Sequence, residues 1–101
     1  MEFLNKIELR GIVTACVEIN VSGRKVTRFT LLTENVCKTA GGCAMVDSAW
    51  FHCTAWDCAI NVKKDDCVEI TGRVRQFRYT YDDENERTGW EIVVHTAKQV
   101  K

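Results

Sequence analysis

The sequence predicts a small all-β domain, and three observations carry that prediction. Nearly every apolar stretch alternates with polar residues at a period of two, the spacing that sends successive strand side chains to opposite faces. Sustained helical periodicity is scarce. Where the alternation stops there are glycines or charge clusters of the kind that turn a chain, and the 101 residues contain no proline. That length holds one domain, 1–101, able to fold without staples. A hydrophobic content of 46% with 28% charged residues is an ordinary globular composition.

The first strand, Asn5–Thr14, places Ile7, Leu9, Gly11 and Val13 on one face and Lys6, Glu8, Arg10 and Ile12 on the other. Gly11 within it signals a bulge or bend. Cys16–Val21 continues extended into Ser22-Gly23-Arg24, a hairpin turn in which glycine supplies positive φ without strain. The second strand runs from about Lys25 to Thr33. Phe29 and Leu31 share a face that Val26 does not, which predicts one register shift through a bulge. From 34 to 47, around Gly41-Gly42, alternation fails and an irregular, mobile loop is expected.

The third strand, Trp50–Trp56, divides its side chains sharply. Phe51, Cys53 and Ala55 make a graded apolar face suited to a core, while Trp50, His52, Thr54 and Trp56 share a polar one. On that reading His52 and Thr54 are surface residues. Cys58–Lys64 allows a short helical turn, and Lys64-Asp65-Asp66 a polar one. In the fourth strand, Cys67–Tyr81, Val68, Ile70, Gly72 and Val74 line one face. Asp82–Arg87 is a charged hairpin loop, Trp90–Ala97 the last strand, and 98–101 a short tail. Trp90 shares a face with Ile92 and Val94, which assigns it to core or interface.

Several functions find no foothold. The N-terminus lacks a basic and then apolar leader, and no apolar run approaches the roughly 20 residues that cross a bilayer. A cytoplasmic protein without membrane contact is expected. Six cysteines (16, 37, 43, 53, 58, 67) form no Cys-x-x-Cys pair. Reduced thiols acting as small hydrophobes fit better than disulfides, and Cys37 with Cys43 is the least implausible zinc pair. His52 and His95 lie in no nucleophile or metal motif, and no glycine-rich phosphate loop is present. Neither an enzyme nor a bound metal or cofactor is expected. Overall 14 basic residues balance 14 acidic ones, but Asp82, Asp83, Glu84 and Glu86 are concentrated in one loop. Setting those four acids aside leaves a body of net charge +4.

On the fourth strand the odd positions read Arg73, Arg75, Phe77, Tyr79 and Tyr81. Cations that track phosphates, interleaved with rings that stack on unpaired bases, are what single-stranded nucleic acid requires, each stack contributing about 1–3 kcal/mol. Cross-strand aromatic packing would account for any one of these rings. Taken with Trp50 and Trp56 on another polar face, the set favours binding.

The segments Asn5-Lys6-Ile7-Glu8-Leu9-Arg10-Gly11, Arg28-Phe29-Thr30-Leu31-Leu32-Thr33, Ala49-Trp50-Phe51-His52, Val68-Glu69-Ile70-Thr71-Gly72-Arg73-Val74 and Trp90-Glu91-Ile92-Val93-Val94 stand in a telling order. That order and spacing resemble the DNA-binding domain of the bacterial single-stranded DNA-binding (SSB) family, from about residue 4 to residue 97. The resemblance implies an OB-fold, a five-stranded Greek-key barrel with a long hairpin before the last strand. It implies sequence-independent binding of single-stranded DNA in replication, recombination or repair. Trp50, Trp56 and Tyr79 fall on the family's stacking positions, with Phe77 and Tyr81 beside them. Lys6, Arg10, Arg28, Arg73 and Arg75 are the candidate phosphate contacts. Homodimers or homotetramers are implied, and Ile12 on the outer face of the first strand is compatible with such pairing.

The chain departs from the family at three places. Val36-Cys37 stands where the family has an early tryptophan, and Cys58–Asp66 is shorter than its helix. The chain closes on Gln99-Val100-Lys101 without an acidic tip ending in phenylalanine, which puts recruitment of other replication proteins in doubt. The alternative is an adaptor like the primosomal relative PriB, using the fold mainly for protein interaction. PriB-like chains carry fewer aromatics on their strands.

Overall fold

A computed structural model describes residues 2–56, 62–82 and 85–100, with side chains throughout except at Tyr81 and Asp82. Five strands, β1 (Ile7–Val21), β2 (Arg24–Lys38), β3 (Ala44–Trp56), β4 (Cys67–Asp82) and β5 (Asn85–Gln99), close into a barrel in the order β1-β2-β3-β5-β4. Every pairing is antiparallel except β3 with β5. No described residue is helical. The expected five-stranded barrel with a long β4–β5 hairpin is the observed one.

Alternation places the core. Val13, Phe29, Leu31, Cys53, Ala55, Val68, Ile70, Ile92 and Val94 point inward from all five strands, with Ile7, Leu9 and Phe51 packed against them. Burying such side chains contributes about 1.5–3 kcal/mol each for the larger ones. Closing so narrow a cylinder also needs backbones to approach one another. A Cβ on Gly11 would run into the carbonyl oxygen of Leu32, and one on Gly72 into that of Val93. Gly11 therefore serves close approach, and the bulge expected near it lies at Thr14, between Val13 and Ala15.

That bulge corrects a second expectation. β2 pairs with β3 without interruption from Val26↔Trp56 to Lys38↔Ala44, so β2 itself carries no shift. Val26 is fully buried on the face opposite Phe29 and Leu31, outside the core cluster. Between Val21 and Arg24, Ser22 (φ 51°) and Gly23 (φ 80°) form the expected tight turn.

The irregular loop expected over 34–47 is a β-ribbon. Glu34↔Ser48 through Lys38↔Ala44 continue the β2–β3 register, and the turn is closed by Thr39 N–H to Cys43 O and Gly42 N–H to Thr39 O, both 2.9 Å. A ribbon exposed on both faces needs no apolar alternation, because its backbone satisfies itself. The tail likewise shrinks: β5 reaches Gln99, and Val100 N–H donates to Cys67 O. β4 and β5 pair up to Asp82↔Asn85, so Asp82 and Asn85–Arg87 of the expected loop are strand. Most of the expected helical turn at Cys58–Lys64, and Cys58 itself, lies outside the described residues; Lys64 and Asp65 form a turn.

Candidate nucleic-acid interface

β3 supplies one wall. Its register sets Trp50 opposite Leu32 and Trp56 opposite Val26. Trp50 is 59% exposed. Trp56 is half-buried, and the Arg24 guanidinium lies 4.8 Å from its ring centre, a cation–π contact. His52 is exposed between them. Thr54, expected at the surface, is buried: its hydroxyl donates to Glu91 Oε2 at 2.7 Å across the β3–β5 junction. A buried hydroxyl is tolerated because that carboxylate satisfies it.

β4 supplies the other wall. Arg73, Arg75, Phe77 and Tyr79 alternate with Val74 and the polar Gln76 and Arg78. The Phe77 and Tyr79 rings stand 5.9 Å apart, tilted by 37°. The Phe77 ring also lies over Gly89, filling the space a side chain would take there, so packing accounts for part of its placement. The Tyr81 side chain lies outside the described residues. Arg75 faces Glu91 directly across β4–β5, with Nη1 3.3 Å from Oε1.

β5 runs between the two walls, and its residues join them. A cavity of about 660 Å³ is lined by Trp56 and His52 from β3, Arg75 and Phe77 from β4, Trp90 and Glu91 from β5, and Arg28 from β2. A smaller cleft of about 230 Å³ adjoins it, shared at His52, Trp90 and Glu91 and carrying Trp50. Trp50, Trp56, Phe77, Arg28 and Arg75 thus meet around adjoining hollows. Tyr79, Lys6, Arg10 and Arg73 line neither. Lys6 pairs with Glu8 (3.2 Å) and Arg10 with Glu69 (3.3 Å), exposed pairs of little energetic weight. Among the described residues Arg28 and Arg73 have no ion-pair partner, so their charge is unspent.

Two residues of this surface were not singled out from the sequence as binding groups. Glu91 holds both Thr54 and Arg75 while its own side chain is only 14% exposed. Trp90, assigned to core or interface, is 62% exposed and lines both hollows. The signal against a core tryptophan sits on the neighbouring strand. Its partner is the polar Gln76, so the apolar interior has already ended at that level.

The cysteines among the described residues are free thiols. Burial pushes the Cys53 thiol up to about 12, and burial followed by the nearby Asp66 carboxylate raises that of Cys16. Cys37 donates to Asp47 Oδ2 at 3.3 Å on the ribbon. Among the described residues no three His, Cys, Asp or Glu side chains are placed to hold a metal ion.

A family model described as the single-strand binding protein family matches residues 4–100. No curated protein matches the chain significantly by sequence. Among solved structures, an SSB complex with ssDNA from Plasmodium falciparum superposes with a TM-score of 0.82 at 20% identity, over 99% of this chain and 96% of that one. A deletion mutant of the single-stranded DNA binding protein from Thermus aquaticus superposes with a TM-score of 0.83 at 13% identity. That match covers 97% of this chain and 51% of the Thermus chain, so the barrel spans about half of that protein. At such identities the likeness is one of fold.

Proposed function

We propose that this chain, which belongs to the single-strand binding protein family, binds single-stranded DNA without reading its sequence. Bases stack on Trp50, Trp56, Phe77 and Tyr79, and phosphates meet Arg28, Arg73 and Arg75, with Lys6 and Arg10 as outlying contacts. The observation that carries the reading is the 660 Å³ cavity, in which the rings of Trp56 and Phe77 share walls with the guanidinium groups of Arg28 and Arg75. A flat, unpaired base and its flanking phosphates require that pairing of ring and cation. No chemistry on the strand is needed; the role is to cover unpaired DNA in replication, recombination or repair.

One barrel offers few stacking platforms, so placing several on one strand raises avidity steeply. We take the working form to be a homodimer or homotetramer. Ile12 on β1, 47% exposed, supports pairing through that strand.

Intrinsic tryptophan fluorescence titrated with oligo-dT tests the reading. Quenching is expected, with Trp50→Ala and Trp56→Ala each weakening binding by about 1–3 kcal/mol. Log affinity should fall with log salt by about 0.7 per phosphate contact. Absence of quenching at low salt, or quenching indifferent to both substitutions, sinks it.

A further inference from the structure

β3 and β5 run side by side, yet they pair over two positions only, Cys53↔Ile92 and Thr54↔Val93. N-terminal to those positions no backbone pairing joins the two strands. Beside that unpaired stretch lies the 230 Å³ cleft, lined by Trp50, Phe51 and His52 of β3 and Trp90, Glu91 and Ile92 of β5, with Ile7 of β1 and Val74 of β4 completing it. The lining draws on both faces of the strands: Phe51 and Ile92 come from the core side, Trp50 from the outer one.

Three features of the cleft set the chemistry of its occupant. Two indoles, exposed at 59% and 62%, line it from different strands, Trp50 from β3 and Trp90 from β5. Their rings are not in contact with each other, the Phe77–Tyr79 pair being the one aromatic–aromatic contact among the described residues. An apolar floor of Phe51, Val74 and Ile92 favours a flat hydrophobic body, while the exposed His52 offers hydrogen-bonding groups at the edge. The volume has room for one base rather than two stacked nucleotides. Continuity with the larger cavity through His52, Trp90 and Glu91 means that a strand lying in one hollow passes the mouth of the other.

We infer that this cleft is a nucleobase-binding site in which one unpaired base of the bound strand sits between Trp50 and Trp90. Trp90 is thereby a binding residue, the platform that links Trp50 to Trp56 along the groove. The inference rests on the reading of the protein as a single-strand binder and adds a site to it.

A variant with Trp90 as its sole tryptophan, Trp50→Phe with Trp56→Phe, keeps flat rings at the other two positions. Its emission is read during titration with fluorescein-labelled oligo-dT, whose anisotropy reports binding independently. The native chain is titrated alongside, with Trp90→Ala and Trp90→Phe. Expected are quenching of Trp90 in step with the anisotropy, a loss of roughly fivefold or more in affinity for Trp90→Ala, and recovery of most of it in Trp90→Phe. Two results would overturn the inference while leaving the general reading intact. One is native binding with Trp90→Ala indistinguishable from it. The other is Trp90 emission that changes with protein concentration but not with oligonucleotide, which assigns the indole to contact with a second copy. If the native chain shows no anisotropy change at low salt, the single-strand reading fails and the site falls with it.

Discussion

Two seams of this barrel join strands distant in sequence, and they are built differently. β1 and β4 pair over six positions, from Ile7↔Gly72 to Ile12↔Cys67. The Asn5 side chain extends that seam, its Nδ2 donating to Val74 O at 2.6 Å and its Oδ1 accepting from Val74 N–H at 3.0 Å. β3 and β5 pair over two positions, and what the backbone omits is supplied by one side-chain lock, Thr54 to Glu91 to Arg75. Both hollows open beside the short seam. A fully paired seam has its main-chain groups satisfied by one another and no room between strands. A seam left open is lined by side chains free to serve a ligand, and the closed one compensates in stability.

The long seam should be the harder to disturb without losing the fold. Gly72 ends that seam opposite Ile7, and its other side abuts β5: Gly72→Ala sets a Cβ against the Val93 carbonyl, a backbone group that cannot swing aside. We expect a loss of about 3 kcal/mol in urea unfolding, at the upper end of overpacking costs. A loss below about 1 kcal/mol would show that the β4–β5 backbones beside the long seam can move apart, and that β4 does not hold that seam rigid. The short seam should give way more gently. Glu91→Gln removes the charge from a carboxylate that serves Thr54 and Arg75, for an expected cost of about 1–2 kcal/mol in the same measurement. By taking a negative charge out of the groove it should also tighten oligo-dT binding severalfold at low salt, since Arg75 no longer has an anionic competitor. Unchanged stability would mean that core packing and the two paired positions hold β3 to β5 without the side-chain lock.

The closed seam was the more legible in the sequence. Ile7, Leu9 and Val13 against Val68 and Ile70 repeat at period two, and the glycine inside each strand marks where that strand approaches its other neighbour, β2 for Gly11 and β5 for Gly72. The short seam was half legible. Trp50 and Trp56 declared themselves by sharing a face with His52, whereas Trp90 sat in phase with Ile92 and Val94 and read as core. Periodicity reports the parity of a side chain but not where along the strand the barrel ends. Thr54 was misjudged for a related reason: its partner, Glu91, lies 37 residues away, across a parallel junction that leaves no local pattern. The ribbon at 34–47 escaped notice because a hairpin exposed on both faces has nothing to alternate.

Cys53 offers the mildest probe of the short seam, since it sits in the register that joins β3 to Ile92. Its thiol is buried and held near 12 in the fold, against about 8.5 when the chain is unfolded. Between those values the folded chain keeps a proton that the unfolded chain releases, so stability must fall as pH rises. The contribution is intact below about pH 8 and costs less than about 1 kcal/mol at pH 9, growing towards about 1.4 kcal/mol per further pH unit. Urea unfolding of the native chain and of Cys53→Ala at pH 7.5 and pH 9 isolates this from other alkaline titrations, because only the difference between their two slopes belongs to Cys53. If both lose stability equally, the thiol reaches solvent through the open side of the seam without unfolding the barrel. The gap between β3 and β5 would then extend inward past Cys53, and Ile92 would be part of the hollow rather than its floor.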